Sequence, residues 1–336
     1  MNLFATATGI GSWPGVSAGD AAEVIVGELH HLPHLVELPA RGVGADLIGR
    51  AGALLVDIAI DTVPRGYRLA SGRRSVTRRA VSLLEEDIDA LEEAWEKAGL
   101  RDGTRAVKAQ APGPVTLAAN LELPGGHRAI TDRGALRDLT GSLAEGVAAL
   151  RSRLMRRLDA EVVVQFDEPS LPAALAGRLA GVTGLSAVHP VDESVATALL
   201  DECAALVGGE VALHCCSADV PWKVLQRSII SAVSVDAQAL TAADLDGLGE
   251  FIESGRTVLL GAVPAVTPAS RPSSAQIAKA VADVTDRLGF GREVLRNRIG
   301  VTPACGLAGT TPAWARTAIE LAQRAADVLA EDPEAV

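Results

Sequence analysis

The chain is 336 residues long, with 31 basic and 42 acidic side chains and a formal net charge of −11. That balance, with a pI near 5.1, excludes a non-specific nucleic-acid binder or an anionic-membrane binder, both of which need a basic footprint. Hydrophobic residues make up 48% and aromatics only 3%, so Ala, Val and Leu must fill a large core. The first basic residue is Arg41, which predicts no secretory signal, and no apolar run reaches the roughly 18 residues of a membrane span. Four cysteines in this length are no disulfide framework, which predicts reduced thiols and a cytoplasmic protein. Basic residues are nearly all Arg, with Lys only at 97, 108, 223 and 279; this reads as compositional bias.

In chain order, the expected elements alternate. A strand over Ala5–Ser12 is followed by a helix over Gly19–His30, and a strand over Leu35–Leu38 by a helix-like, Gly-containing stretch over Gly42–Ile60. A turn-rich segment, Asp61–Arg74, leads to a charged helix over Val81–Ala98, with Ser82 and Glu85 spaced as a capping box. Further strands are expected over Val107–Ala111, Val162–Asp167, Val211–Cys216, Ala232–Asp236, Thr257–Val263 and Gly300–Cys305. Helices with a 3.6-residue period follow over Asp132–Leu158, Glu193–Val207, Asp219–Ile230, Ala242–Ser254, Ala275–Leu288 and Ala313–Leu329. Continuous apolar strands are those of a parallel sheet buried on both faces. Eight strands, each followed by helical chain, predict an α/β fold: a single (β/α)8 TIM barrel with elaborated βα loops, spanning residues 1–336 as one domain. An open doubly wound sheet is the alternative. Residues Glu331–Val336 read as a frayed acidic tail.

Chemistry-bearing residues fall at the strand ends, which a parallel barrel brings to one rim. His214 and Cys216 stand two apart on a strand, so they share a face while Cys215 points away. Imidazole and thiolate on one face make half of a zinc site, which Cys305 and the carboxylate of Asp236 could complete; the competing reading is buried small hydrophobes and a core histidine. Cys203, in mid-helix, reads as core. Asp167 and Glu168 are adjacent acids at a strand exit; one of them faces the mouth and could bind a substrate ammonium, but the register is not fixed by sequence. Gly11-Ser12 offers backbone N–H groups and a hydroxyl for a small carboxylate. His30, His31 and His34 crowd at a helix end, where the dipole favours cations.

Taken together, these motifs resemble the C-terminal catalytic barrel of the cobalamin-independent methionine synthase family. Gly9-Ile10-Gly11-Ser12-Trp13-Pro14 is similar to that family's Ile-Gly-Ser-Phe-Pro signature, and Gly113-Pro114-Val115-Thr116 to its Gly-Pro-Val-Thr turn. Gln165-Phe166-Asp167-Glu168-Pro169 is similar to its Gln-x-Asp-Glu-Pro strand, His214-Cys215-Cys216 to its His-x-Cys pair, and Pro303-Ala304-Cys305-Gly306-Leu307 to its Pro-Asp-Cys-Gly-Leu. The resemblance implies zinc-dependent methyl transfer to a thiol. Zn²⁺ would be held by His214, Cys216 and Cys305, with Asp236 where the family has glutamate. Ser12 would take the homocysteine carboxylate, and Asp167, shared with Glu37, its ammonium. Thr267 stands where the family has a proton-donating histidine, and the folate-binding N-terminal half of the family's full-length members is not matched. The implied donor is therefore open: a corrinoid protein or a methylated small molecule. Two further readings are a related barrel of the uroporphyrinogen decarboxylase or corrinoid methyltransferase type, and a non-catalytic zinc or metabolite binder.

Overall fold

In the computed structural model, which describes residues 2–72, 74–181 and 187–336, two sheets and the helices that cover them account for the regular structure. In chain order the elements begin with α1 (Ala18–Glu28), α2 (Leu47–Ala51), β1 (Ala59–Val63), β2 (Gly66–Ala70), α3 (Ser75–Lys97), β3 (Ala106–Pro112) and α4 (Pro114–Asn120). They continue with β4 (Leu121–Glu122), α5 (Arg133–Leu158), β5 (Glu161–Asp167), α6 (Leu171–Leu175), α7 (Glu193–Val207), β6 (Val211–Cys215) and α8 (Trp222–Arg227). The last are β7 (Ala232–Asp236), α9 (Asp244–Glu253), β8 (Thr257–Val263), α10 (Ser274–Arg287), α11 (Glu293–Arg298), β9 (Ile299–Pro303) and α12 (Pro312–Glu331).

The main sheet has six parallel strands in the order β3-β5-β6-β7-β8-β9. These are the last six of the eight expected. The first two, Ala5–Ser12 and Leu35–Leu38, are not regular strands. They are extended segments held by isolated parallel bridges, Ala7 to Val301 on β9, Ser12 to Glu37, and His34 to Lys108 on β3. Backbone bonds from Thr8 N to Val301 O (3.3 Å), Trp13 N to Glu37 O (2.8 Å) and Leu35 N to Lys108 O (2.8 Å) run along this path between the sheet's two edge strands. The bridges are too short to count as strands, and Gly9 and Gly11 weaken the first segment as a ladder. The fold class is thus α/β with a parallel sheet; its regular part is six strands, not a full set of eight.

Period 2 sorts the strand residues into layers. Ala106, Val163, Ala212, Ala232 and Leu259 share an apolar cluster with Phe4 and Leu32, apart from the main core between sheet and helices. Two residues further along the same strands stand Lys108, Gln165, His214 and Ser234, all buried and polar. The inner face therefore changes from an apolar floor to a polar upper layer towards the strand ends, which is where the site lies.

Several local expectations change. The stretch Gly42–Ile60 is helical only over α2, where Asp46 caps Ile48 N and Gly49 N; its glycines prevent a longer helix. Asp61–Arg74 carries most of the antiparallel hairpin β1–β2, which starts at Ala59, with Arg73 outside the described residues. α3 starts at Ser75, so Ser82 and Glu85 lie inside the helix, and Glu85 pairs with Arg153 instead of capping. Pro333–Ala335 form a 3-10 turn with Pro333 buried and Val336 packed on the core, which ties down the tail. Among the described residues no helix is long and apolar enough to cross a membrane.

His34 is also reassigned. It is not a helix-end cation but is 1% exposed, with Nδ1 3.0 Å from Leu35 O. Burial, then the nearby Lys108 charge, lowers its pKa to about 3. The folded state keeps His34 neutral where the unfolded chain, titrating near 6.5, takes up a proton. Stability is therefore unaffected by this group above about pH 6.5 and lost as pH falls below it, by up to about 1.4 kcal/mol per pH unit. Urea titrations between pH 7 and pH 4.5 are expected to show a shallower loss in His34→Gln than in the wild type. Parallel pH slopes would refute this account.

Candidate metal centre and amino-acid pocket

At the carboxyl ends of the strands lies a cavity of about 280 Å³, lined by Ser12, Glu37, Asp167, His214, Cys216 and Cys305 together with apolar Ile10, Pro39, Ala45 and Leu47. Six of the seven site residues that the resemblance implies thus line this cavity, Asp236 being the exception. His214 is brought there by β6, Cys216 by the residue that follows it, and Cys305 by the turn after β9. Their ligand atoms lie within 4.8 Å of one another, and the two sulfurs are 3.0 Å apart. Cys215 faces the main core, fully buried, as the alternation requires.

The donor set fits a metal ion on two counts. His214 Nε2 is buried with no hydrogen-bond partner, an arrangement that costs free energy unless something accepts its lone pair. Its other nitrogen, Nδ1, lies 3.1 Å from Ser234 Oγ, the kind of outer-shell contact that orients a metal-binding imidazole. Between the cysteines, the neighbouring Cys216 thiol and the His214 ring hold the Cys305 thiol well below its ordinary range, whereas Cys216 is raised. One proton shared by two close sulfurs is chemistry that a divalent cation replaces. Two thiolates and one imidazole are a zinc-type set with room for further ligands.

Asp236 is not part of this cluster. It follows Ser234 by two on β7, one residue beyond the paired Cys215 and Val235, and its Oδ1 accepts from Gln238 N at 2.9 Å. Thr267, exposed in the loop after β8, lies 3.1 Å, Oγ1 to Oγ1, from Thr310.

The acids at the end of β5 divide their work. Asp167 lines the cavity and accepts from Gln165 Nε2 at 2.7 Å. Glu168 points the other way and is fully buried. It accepts from Val115 N (2.9 Å), Thr116 N (2.8 Å) and Thr116 Oγ1 (2.6 Å) at the start of α4. The Gly-Pro-Val-Thr turn and the Asp-Glu-Pro strand are therefore one lock, and Gly113 is part of it, because a Cβ there would sit 2.2 Å from Glu168 Oε1. Gly306 does the same service at Ser12, whose Oγ would be 2.0 Å from an added Cβ. The bridge to Glu37 places Ser12 beside that acid.

Under the carboxylates lies a residue that sequence reading passed over. Lys108 is fully buried, and its Nζ donates to Ile10 O (3.1 Å) and Gln165 Oε1 (2.8 Å). Burial lowers its pKa to about 8, against the raising influence of Asp167 and Glu37. Burial raises Asp167 to about 6 and Glu37 to about 7, each offset in part by nearby cations. A lysine inside an otherwise uncharged strand was the available signal.

Residues 4–328 match the catalytic domain of the cobalamin-independent synthases. The chain belongs to that family. No curated protein sequence matches it at a significant level. Among solved structures, it is similar to a B12-independent methionine synthase from Shewanella sp. W3-18-1, solved in complex with selenomethionine, with a TM-score of 0.64, 11% identity and 100% of both chains covered. It is also similar to a methyltransferase from Methanosarcina mazei, with a TM-score of 0.55, 14% identity, and 97% of this chain and 93% of that one covered. At these identities the likeness is one of fold. Membership in the cobalamin-independent synthase family indicates a methyltransferase with small-molecule substrates, and its cobalamin independence removes the ground for a corrinoid-protein donor.

Proposed function

We propose that this cobalamin-independent synthase is a zinc-dependent S-methyltransferase whose acceptor is homocysteine or a closely related aminothiol. The observation that carries the reading is the convergence of three zinc-type donors, two carboxylates and Ser12 on one small cavity. Zn²⁺ would be held by His214, Cys216 and Cys305, with Asp236, outside that cluster and two residues beyond Ser234 on β7, the candidate for a further ligand. A zinc ion held there would lower the pKa of a substrate thiol and so supply a thiolate nucleophile near neutral pH. Ser12 and its backbone hold the substrate carboxylate, and Asp167 and Glu37 its ammonium, so the sulfur end is directed to the Cys216–Cys305 side. Pro39, Ala45 and Leu47 exclude water from the thiolate. The donor is a methylated small molecule, the class of substrate that cobalamin independence leaves. We read the two bridged segments as the first two strands of a (β/α)8 barrel with this cavity at its mouth.

The test is calorimetry of the zinc-loaded protein with homocysteine, run in buffers of different ionisation enthalpy. Binding is expected to release close to one proton per thiol bound, and homoserine, which has a hydroxyl in place of the thiol, is expected to bind more weakly and release none. Equal binding of both, or no proton release, would remove the thiolate from the mechanism. Binding with no methyl transfer from any methylated donor would favour the non-catalytic binder.

A further inference from the structure

Behind Glu37, away from the cavity, lies a row of buried charges that the proposed reaction does not use. Asp87 is on α3 and fully buried. It sits on the stripe that also carries Leu84, Ile88 and Leu91, a position that packing alone would fill with an apolar side chain. It accepts from Arg41 Nη2 at 2.5 Å and from Arg50 Nη1. Arg50, 3% exposed, has its Nε 3.7 Å from Glu37 Oε1. That is an ion pair but too long for a hydrogen bond. Glu37 Oε1 and Arg50 Nη2 are both buried without a hydrogen-bond partner.

A buried guanidinium beside a buried carboxylate ordinarily closes to a short, two-pronged contact. Here it stops short, and the observed restraint is Asp87, which engages the guanidinium from the far side and is itself held by Arg41. The Arg50 charge still favours an ionised Glu37, a residue of the cavity lining whose Oε1, buried beside Arg50, takes no hydrogen bond. We propose that Asp87 is a positioning residue: it holds Arg50 off Glu37, so that Glu37 keeps a free oxygen for a substrate ammonium. The inference rests on the aminothiol reading given above and deepens it, because it makes discrimination for the amino group depend on a residue that touches no substrate. Without Asp87, Arg50 closes on Glu37 and masks that oxygen. The metal ligands and the thiol end of the pocket are unaffected.

The experiment compares homocysteine with 4-mercaptobutanoate, the same thiol acid without the amine, by calorimetry on zinc-loaded wild type, Asp87→Asn, Asp87→Glu and the double variant Asp87→Asn/Arg41→Gln. The double variant removes one buried charge of each sign, which keeps the interior balanced if Asp87→Asn alone does not fold. Wild type is expected to prefer homocysteine. That preference should fall about tenfold, the scale of one charge-assisted hydrogen bond, in Asp87→Asn and in the double variant, and be largely retained in Asp87→Glu. Affinity for 4-mercaptobutanoate and zinc content should not change, which separates positioning from general structural damage. A folded double variant with the wild-type preference overturns the inference alone. A wild type that binds both thiols equally overturns the ammonium role of Glu37 and this inference with it.

Discussion

Cys305→Ser is expected to lose its zinc to a mild chelator and to lower methyl transfer on the order of 10³-fold, because the metal's contribution to such a step is several kcal/mol. Two donors of the three-residue cluster would remain, His214 and Cys216, and neither a serine hydroxyl nor the displaced Asp236 replaces a thiolate. The fold should be nearly untouched. Cys305 lies in the turn after β9, half-buried at the cavity wall, and packs no core element. Metal analysis after dialysis, a thermal melt and a turnover assay together decide the matter; full zinc content with full activity would refute the site. Cys203 provides the contrast. It is fully buried, its Sγ 3.9 Å from Thr140 O across the α5–α7 contact, so its removal should cost stability and leave zinc content alone.

Lys108→Met is expected to destabilise the protein by about 3–5 kcal/mol, the usual consequence of deleting one partner from a buried charge group. Methionine fits the volume, so the loss is electrostatic: Asp167 and Glu37 would be left without the cation beneath them, and Ile10 O and Gln165 Oε1 without a donor. Urea unfolding at pH 7.5 measures it. Adding Glu37→Gln to Lys108→Met should recover part of the loss, since it removes a charge that has become uncompensated. A change below about 1 kcal/mol in the single variant would mean that water, not Lys108, stabilises the carboxylates.

The site was legible in the sequence where chemistry and period 2 coincide. His214 and Cys216 had to share a face, and Cys215 had to leave it; the strand exits at Asp167 and Cys305 had to meet if the strands were parallel. Glu168 was not legible, because its partner is a helix start 52 residues away at Thr116, and only the fold brings the two turns together. Lys108 and Asp87 were masked differently. Each is the one charge on an otherwise uncharged buried face, which local pattern reading treats as an exception. The first two expected strands are extended segments joined by single bridges rather than regular strands: their apolar runs are real, but Gly9 and Gly11 weaken the first as a ladder. His34 was placed by its neighbours His30 and His31 at a helix end, yet the chain turns inward after Leu32 and buries it.

By itself the sequence determined the alternation of strand and helix, the face on which His214 and Cys216 stand, and the motif order that marks the cobalamin-independent synthases. These follow from short-range rules, in which a residue's direction depends on its position along one element. The tertiary structure decided which charges face one another. It set Lys108 beneath Asp167 and Glu37, Ser234 behind His214, and Asp87 behind Arg50. Such pairings depend on strand register and helix docking between segments far apart in the chain, and the energy of a buried charge is fixed by what surrounds it in space.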